Sequence, residues 1–131
     1  MISGSCACRY IRYTANVAPA GVVNCHCTTC RKQAGAPYQA FVHFPISSFK
    51  WEVEPTKWQS SEIAFRTFCP HCGSNLSMSY DSDPNEIAIV AGTLDDGTIV
   101  PPPSKHIFLK DKAPWYELPE DGAARYQGWT G

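Results

Sequence analysis

The sequence predicts an all-β fold in a single domain. Short runs rich in Val, Ile, Thr and aromatic residues alternate with Gly, Pro, Asn and Asp, which is the usual pattern of strands and turns. Eleven Pro and nine Gly in 131 residues disfavour long helices. Since about 150 residues make one domain, and since no linker or internal repeat is visible, we expect one domain over residues 1–131.

The first half of the chain is expected to contain short strands and one helical turn. Residues 9–14 alternate between two faces, and Val22-Val23 begins a further strand. Thr28 or Thr29 is expected to cap the helical turn, because a threonine side chain accepts hydrogen bonds from free backbone N–H groups. Gly35 is expected to end it, because glycine readily adopts the left-handed conformation of a helix C-terminus.

The second half is expected to be strands joined by turns. Residues 40–44 form an apolar run that Pro45 stops, and residues 49–53 alternate with their large apolar side chains on one face. The same strand pattern recurs at residues 57–59, 63–68, 76–80 and 86–91. Three consecutive prolines at 101–103 must be extended, polyproline-like chain.

Charge and hydropathy exclude several classes of partner. Eleven Lys and Arg against 12 Asp and Glu give a net charge of -1, so no general attraction to nucleic acids or anionic membranes is expected. No apolar run approaches the roughly 18 residues of a membrane span. The segment from Met1 to Cys6 has neither the basic nor the apolar region of a signal peptide. We therefore expect a cytoplasmic protein.

Seven cysteines fall into three tight groups, C-x-C, C-x-C-x-x-C and C-x-x-C. An odd number cannot pair completely into disulfides, and in a reducing compartment clustered cysteines are more often metal ligands than crosslinks. We therefore expect zinc. The alternative is a secreted disulfide scaffold with one spare thiol. The groups consist of Cys6 and Cys8; Cys25, Cys27 and Cys30; Cys69 and Cys72.

Four of these cysteines are expected to form a closed metal site. Cys69 and Cys72 can wrap a tight turn around one metal, and Gly73 permits the positive φ that such a turn often needs. Tetrahedral zinc requires two more ligands. Cys6 and Cys8 are the natural partners, because residues i and i+2 of an extended chain project to the same side. A redox-active C-x-x-C is the alternative, but no βαβ pattern surrounds it.

Three cysteines remain for a second site, which we expect to be open. Structural zinc normally has four protein ligands, whereas catalytic zinc has three and one exchangeable position. Three thiolates around Zn²⁺ suit a soft incoming ligand, above all a substrate thiolate. The alternative is a closed site completed by a histidine, although His26 should point away because it alternates with its two cysteine neighbours. The cysteines are Cys25, Cys27 and Cys30, and the histidines are His26, His43, His71 and His106.

Six motifs follow one another through nearly the whole chain. In order and spacing they resemble the glutathione-dependent formaldehyde-activating enzyme family, whose domain is shared with centromere protein V. The motifs are Gly4-Ser5-Cys6-Ala7-Cys8, the run at 25–36 that begins Cys25-His26-Cys27-Thr28-Thr29-Cys30, the run at 66–74 around Cys69-Pro70-His71-Cys72-Gly73, Gly92-Thr93-Leu94-Asp95-Asp96, His106-Ile107-Phe108 and Ala113-Pro114-Trp115-Tyr116.

The resemblance implies an Mss4-like fold of several small twisted antiparallel sheets. It implies a structural zinc held by Cys6, Cys8, Cys69 and Cys72 and a catalytic zinc held by Cys25, Cys27 and Cys30. The family activity joins formaldehyde and glutathione to give S-(hydroxymethyl)glutathione, formally the reverse of a carbon–sulfur lyase reaction. The resemblance therefore implies a zinc-dependent, carbon–sulfur lyase-like enzyme that acts on a small thiol such as glutathione.

The sequence departs from the family pattern at two positions. Arg9 follows the second cysteine where the family usually has glycine. Gly97 follows Asp95-Asp96 where proline is common. The first departure concerns the turn beside the expected structural zinc, and the second concerns a loop.

A thiol addition also needs a group that moves one proton and cations that offset the charge of the thiolates. Arg31 and Lys32 follow the third cysteine directly, and either they attract an anionic thiol or they form a solvated helix face. Arg66 is expected to meet a carboxylate or to decorate a strand. An enzyme is the favoured class, and a non-catalytic zinc-stabilised binding module is the alternative. The side chains considered for the proton transfer are His26, His43, His106, Asp95 and Asp96.

Overall fold

The computed structural model describes residues 1–19 and 21–129, and this part of the chain is almost entirely β. Short strands dominate, joined by turns, one α-helix and three single turns of 3-10 helix. The strands are β1 (Ile2–Ser5), β2 (Arg12–Ala15), β3 (Val22–Cys25), β4 (Gln39–Pro45), β5 (Phe49–Trp51), β6 (Thr56–Gln59), β7 (Ala64–Phe68), β8 (Asn75–Tyr80), β9 (Glu86–Val90), β10 (Pro103–Ile107) and β11 (Ala124–Arg125). The helix is α1 (Thr28–Ala34), and the 3-10 turns span Ile46–Ser48, Ala91–Thr93 and Leu109–Asp111.

The strands form two sheets. A three-stranded antiparallel sheet has the order β1-β2-β5, and an eight-stranded sheet has the order β11-β10-β3-β4-β9-β8-β7-β6. The predicted all-β class with more than one sheet is confirmed. Within the larger sheet, β10 runs parallel to both β3 and β11 rather than antiparallel. A parallel pair requires a long crossover, and the chain from the end of β3 to the start of β10 is long enough to supply one.

The predicted elements and the observed elements differ mainly at the edges. Strands β1, β10 and β11 were not expected, because Gly, Ser and Pro in these segments give a weak strand signal and pairing with distant partners determines them. The strand predicted from Arg9 begins at Arg12, because Arg9 has a φ of 69° and its N–H closes a turn onto the Cys6 carbonyl at 3.1 Å.

The predicted helical turn is present, but its cap is a cysteine. The Cys27 sulfur, rather than Thr28 or Thr29, accepts a hydrogen bond from the Cys30 backbone N–H at 3.3 Å. Gly35 ends the helix with a φ of 63°, as predicted. The Cys27 sulfur thus accepts the capping hydrogen bond that a threonine hydroxyl was expected to accept.

The main hydrophobic core lies between the two sheets. Its buried side chains come from the three-stranded sheet and from one face of the larger sheet. The opposite face of the larger sheet carries a second apolar cluster that includes Cys25 and Cys30. One face of the larger sheet therefore contributes to the main core, and the other face holds the three-cysteine group. The fully or nearly fully buried residues of the main core are Tyr13, Ala15, Val22, Val42, Phe44, Ile87 and Ile89.

A core shared by both sheets supports the expectation of one domain over residues 1–131, which stays a prediction. In the part of the chain that the structure describes, no helix combines the length and the apolar character that crossing a membrane requires.

Gly4 lies where β1 packs against the core, and we expect Gly4→Ala to destabilise the protein. A Cβ there would overlap the hydroxyl end of Tyr13 and lie 2.5 Å from the Thr93 carbonyl oxygen. Tyr13 cannot easily move, because it is buried and its hydroxyl lies 2.7 Å from the Thr93 hydroxyl. Overpacking of this kind costs about 1–3 kcal/mol.

Urea denaturation measures this cost, with Gly92→Ala as the matched control, because a Cβ at Gly92 meets no atom within 4 Å. Equal unfolding free energies for the two variants would contradict the packing of β1 described above.

Candidate metal centres

The fold brings the seven cysteines together in two clusters, divided four and three as the spacing predicts. In each cluster the Sγ atoms all lie within 4.8 Å of one another. No histidine, aspartate or glutamate of the described residues joins the smaller group. The four-cysteine cluster consists of Cys6, Cys8, Cys69 and Cys72, and the three-cysteine cluster consists of Cys25, Cys27 and Cys30.

The four-cysteine cluster has the spacing of a tetrahedral thiolate site. The Sγ atoms of Cys6 and Cys8 are 3.6 Å apart, and those of Cys8 and Cys69 are 3.8 Å apart. Four sulfurs at about 2.3 Å from one zinc ion would be separated by about 3.8 Å. The residues present therefore fit zinc.

Backbone N–H groups donate hydrogen bonds to two sulfurs of this cluster. The N–H groups of His71 and Cys72 point at the Cys69 sulfur at 3.3 and 3.5 Å. Gly73 has a φ of 79°, and its N–H bonds to the Cys69 carbonyl at 2.9 Å, which closes the turn. On the other arm, the Ile11 N–H donates to the Cys6 sulfur at 3.3 Å. Such donors favour the thiolate form that metals bind.

Both departures from the family pattern occupy left-handed turns. Arg9 takes the positive φ that glycine adopts more easily, so this turn forms at a small energetic cost. Gly97 has a φ of 87° in a turn that the Thr98 N–H closes onto the Asp95 carbonyl at 3.1 Å. Asp95 also accepts a 2.7 Å hydrogen bond from the Ser3 hydroxyl. The residues after Leu94 therefore form a turn.

The three-cysteine cluster is built where β3 passes into α1. Cys25 is the last residue of β3, Cys27 caps the helix, and Cys30 lies in its first turn. Cys25 and Cys30 are buried, whereas Cys27 is half-buried, so solvent reaches the cluster on the Cys27 side. A sharp strand-to-helix junction thus gathers three sulfurs and leaves one side accessible.

Crowding of these sulfurs favours a bound cation. The Cys25 thiol is the main cause that lowers the pKa of Cys27 to about 2. Conversely, the Cys27 and Cys30 sulfurs and burial raise the pKa of Cys25 far above its ordinary value. Without a cation only part of the group can be ionised, whereas a soft divalent ion allows all three thiolates. The donor set therefore fits zinc, and the side chains that would hold it are those of Cys25, Cys27 and Cys30.

The cation beside the cluster is Arg66, which the sequence did not single out for this role. Its two terminal nitrogens each lie 3.4 Å from the Cys30 sulfur, and one of them donates to the Gln33 side-chain oxygen at 3.0 Å. Arg31 instead donates to the Asp111 carbonyl at 3.0 Å, and Lys32 is exposed. Arg66 on β7 therefore offsets the charge of the buried sulfur, and no carboxylate within residues 1–19 and 21–129 pairs with it.

We expect Arg66→Met to weaken metal binding at the three-cysteine cluster by about tenfold, because it removes the positive charge from a buried thiolate while keeping most of the apolar stem. Competition with a zinc chelator measures the affinity. Arg66→Lys is the matched control and should fall between the two, since it keeps the charge and loses the forked contact. A wild-type affinity in Arg66→Met would contradict this role.

The histidines lie outside both clusters among the described residues. His26 turns from its cysteine neighbours, as the alternation predicts, and its Nε2 lies 3.0 Å from His106 Nδ1. Burial lowers the pKa of His26 to about 4. His71 stacks on Tyr10 with the ring centroids 4.0 Å apart, and His43 lies 3.5 Å from a Glu86 oxygen. The expected alternative of a histidine-closed site thus has no geometric support here.

A groove of about 410 Å³ lies on the same face of the large sheet as the three-cysteine cluster. Its floor includes Val23, Met78 and Ala88, which belong to the apolar cluster around Cys25 and Cys30. The sequence did not predict this groove, because its residues are far apart in the chain. The sequence shows only which residues alternate along each strand, and it does not show which strands lie side by side. Its walls and ends carry aromatic and charged side chains, namely Tyr80, Trp129, His43, Asp83, Glu86 and Lys105.

Fold and site together define a nearly all-β protein with two cysteine clusters able to bind metal ions. The family model described as glutathione-dependent formaldehyde-activating enzyme matches residues 1–111. The chain therefore belongs to that family, which confirms the resemblance noted in its motifs.

Two individual proteins are similar to this chain. An uncharacterised lyase of Schizosaccharomyces pombe is 33% identical over 88 residues, which cover 67% of this chain and 64% of that protein. The chain thus spans less than two thirds of that relative's length. A crystal structure of a Rhodobacter sphaeroides protein is 20% identical, with a TM-score of 0.62 over 76% of this chain and 98% of that one. This second similarity supports the fold alone.

Proposed function

We propose that the chain is a zinc-dependent enzyme of the carbon–sulfur lyase type that acts on a small thiol adduct such as S-(hydroxymethyl)glutathione. The observation that carries the proposal is the meeting of three soft ligands with no fourth protein ligand among the described residues. In this proposal Cys25, Cys27 and Cys30 hold the catalytic zinc. The structural zinc is held by Cys6, Cys8, Cys69 and Cys72.

When bound, zinc supplies a Lewis acid that favours the thiolate form of a substrate thiol. The half-buried side of Cys27 gives the thiol access, and Arg66 offsets the charge that several thiolates accumulate. In the forward direction the sulfur lone pair forms a bond to the carbonyl carbon of formaldehyde, the C=O π pair moves onto the oxygen, and the oxygen takes up the proton that the thiol released. The reverse reaction breaks that carbon–sulfur bond and returns the proton.

The groove supports a thiol of tripeptide size. It runs beside β3 at Gly21 and Val23, and Val23 packs in the same apolar cluster as Cys25, two residues or about 7 Å of extended chain away. Three extended residues span about 10 Å. Its polar groups carry both signs, with Lys105 positive and Glu86 negative. A peptide thiol that carries carboxylates and an ammonium group matches this arrangement better than an uncharged thiol does.

Exchange spectroscopy with ¹³C-formaldehyde and glutathione tests the proposal, because it measures interconversion of the free and adduct forms above the spontaneous rate. We expect acceleration in proportion to enzyme concentration, and we expect Cys27→Ser to abolish it. Thr28→Ser is the matched control, since Thr28 is the exposed neighbour of Cys27 on the same junction. Thiol binding without acceleration would reject formaldehyde as substrate, and neither binding nor acceleration would favour the binding-module alternative.

A further inference from the structure

A chain of hydrogen bonds leads from Asp121 at the surface to two buried histidines, the second of which lies between Cys25 and Cys27. His106 Nε2 lies 2.8 Å from an Asp121 carboxylate oxygen, and His106 Nδ1 lies 3.0 Å from His26 Nε2. The two histidines are 1% and 0% exposed, respectively. Two imidazoles buried in contact need a defined arrangement of protons, because each misplaced proton leaves a polar group unpaired.

The Asp121 carboxylate determines which nitrogen donates and which accepts along this chain of hydrogen bonds. An ionised carboxylate can only accept, so His106 Nε2–H donates to the Asp121 oxygen 2.8 Å away. His106 Nδ1 then accepts from His26 Nε2–H, which leaves a lone pair on His26 Nδ1. That atom is buried and has no partner within the described residues. The opposite order would bury an unpaired N–H there, which is the rarer situation in proteins.

The chain of hydrogen bonds ends at His26, which lies between Cys25 and Cys27 in the sequence. The His26 backbone N–H donates to the Ile107 carbonyl on β10 at 3.0 Å, so both the backbone and the side chain of His26 are held by that strand. Asp121 is held in turn, because its second carboxylate oxygen accepts from the Ala123 N–H at 3.0 Å. Without the side-chain hydrogen bonds, only the backbone bond to Ile107 would tie His26 to β10, so the segment from Cys25 to Cys27 would be held less firmly.

We propose that Asp121 is a positioning residue, which fixes the tautomers of His106 and His26 and thereby holds the Cys25–Cys27 loop in its metal-binding geometry. The proposal rests on the proposed binding of metal by the three-cysteine cluster. Asp121 lies beyond residues 1–111 that the family model matches. The segment that follows the matched region thus contributes to the site through the interior of the protein.

Zinc affinity tests the proposal. We expect Asp121→Asn to weaken binding at the three-cysteine cluster by about tenfold, the lower end for groups that support metal ligands indirectly. Binding at the four-cysteine cluster should be unchanged. Asparagine allows the reversed proton order, because its amide can donate to His106 Nε2. Glu120→Gln is the matched control, an exposed neighbour with the same charge change, and Asp121→Glu should recover part of the affinity.

The tautomers of His26 and His106 provide a second measurement, which would not change if Asp121 only stabilised the fold. In ¹⁵N-histidine NMR we expect both His26 and His106 of the wild-type protein to carry their proton on Nε2, and we expect Asp121→Asn to shift protons to Nδ1. Unchanged tautomers together with wild-type affinity would overturn the proposal, as would equal loss at both clusters. If the wild-type protein binds only one zinc, the proposed function fails, whereas the tautomer measurement still decides the direction of the chain.

Discussion

Cys69→Ser is expected to unfold the protein or to make it aggregate. Cys69 is fully buried, and its cluster joins the turn between β1 and β2 to the turn between β7 and β8. Structural zinc contributes roughly 10–16 kcal/mol of binding free energy in small domains, and this energy is also folding energy. Losing one thiolate removes a large part of it, whereas a folded protein has only about 5–15 kcal/mol of net stability.

Thermal melting combined with measurement of bound zinc tests this expectation. The satellite core beside the cluster, formed by Cys6, Ile11, Cys69 and Leu76, should lose its packing together with the metal. A Cys69→Ser protein that melts at the wild-type temperature with one zinc fewer would show that the four-cysteine cluster is not structural.

Cys27→Ser is expected to leave a folded protein that has lost one zinc and all turnover. Serine is a preferred helix cap, so its hydroxyl can replace the sulfur that accepts from the Cys30 N–H and α1 should survive. The three-cysteine cluster lies on one junction of neighbouring residues and joins no distant segments by itself. Its loss should therefore cost far less stability than the loss of the four-cysteine cluster.

The pair of variants provides its own control, because both make the same Cys-to-Ser change. Circular dichroism, zinc content and formaldehyde exchange should separate them, with Cys69→Ser failing in all three and Cys27→Ser failing only in the last two. If both unfold to the same extent, the division into a structural and a catalytic cluster is wrong.

The partition of the cysteines could be predicted because short spacings determine local geometry. A C-x-x-C turn followed by Gly73 leaves few backbone conformations, and the observed φ of 79° is the expected one. The alternation around His26 likewise predicted that its side chain would leave the cluster. Most strands were found for the same reason, since patterns of period two reveal which face is buried.

Contacts between distant segments could not be predicted in this way. The Arg66 side chain extends from β7 to Cys30 and Gln33 on α1, and a strand pattern does not show which helix a side chain will reach. The pairing of His26 with His106 depends on β10 lying parallel to β3, and the proline-rich start of β10 conceals that strand. The cytoplasmic location and the lack of nucleic-acid partners stay predictions.

Cobalt substitution followed by titration with glutathione tests the central claim most directly, because ligand-field bands distinguish an oxygen ligand from a sulfur ligand in the fourth position. We expect two cobalt ions per chain. The bands of one ion should change to those of a four-sulfur site at millimolar thiol, and Cys27→Ser should lack this response. Bands that already indicate four protein ligands at both sites, and that millimolar thiol does not move, would contradict the open site formed by Cys25, Cys27 and Cys30.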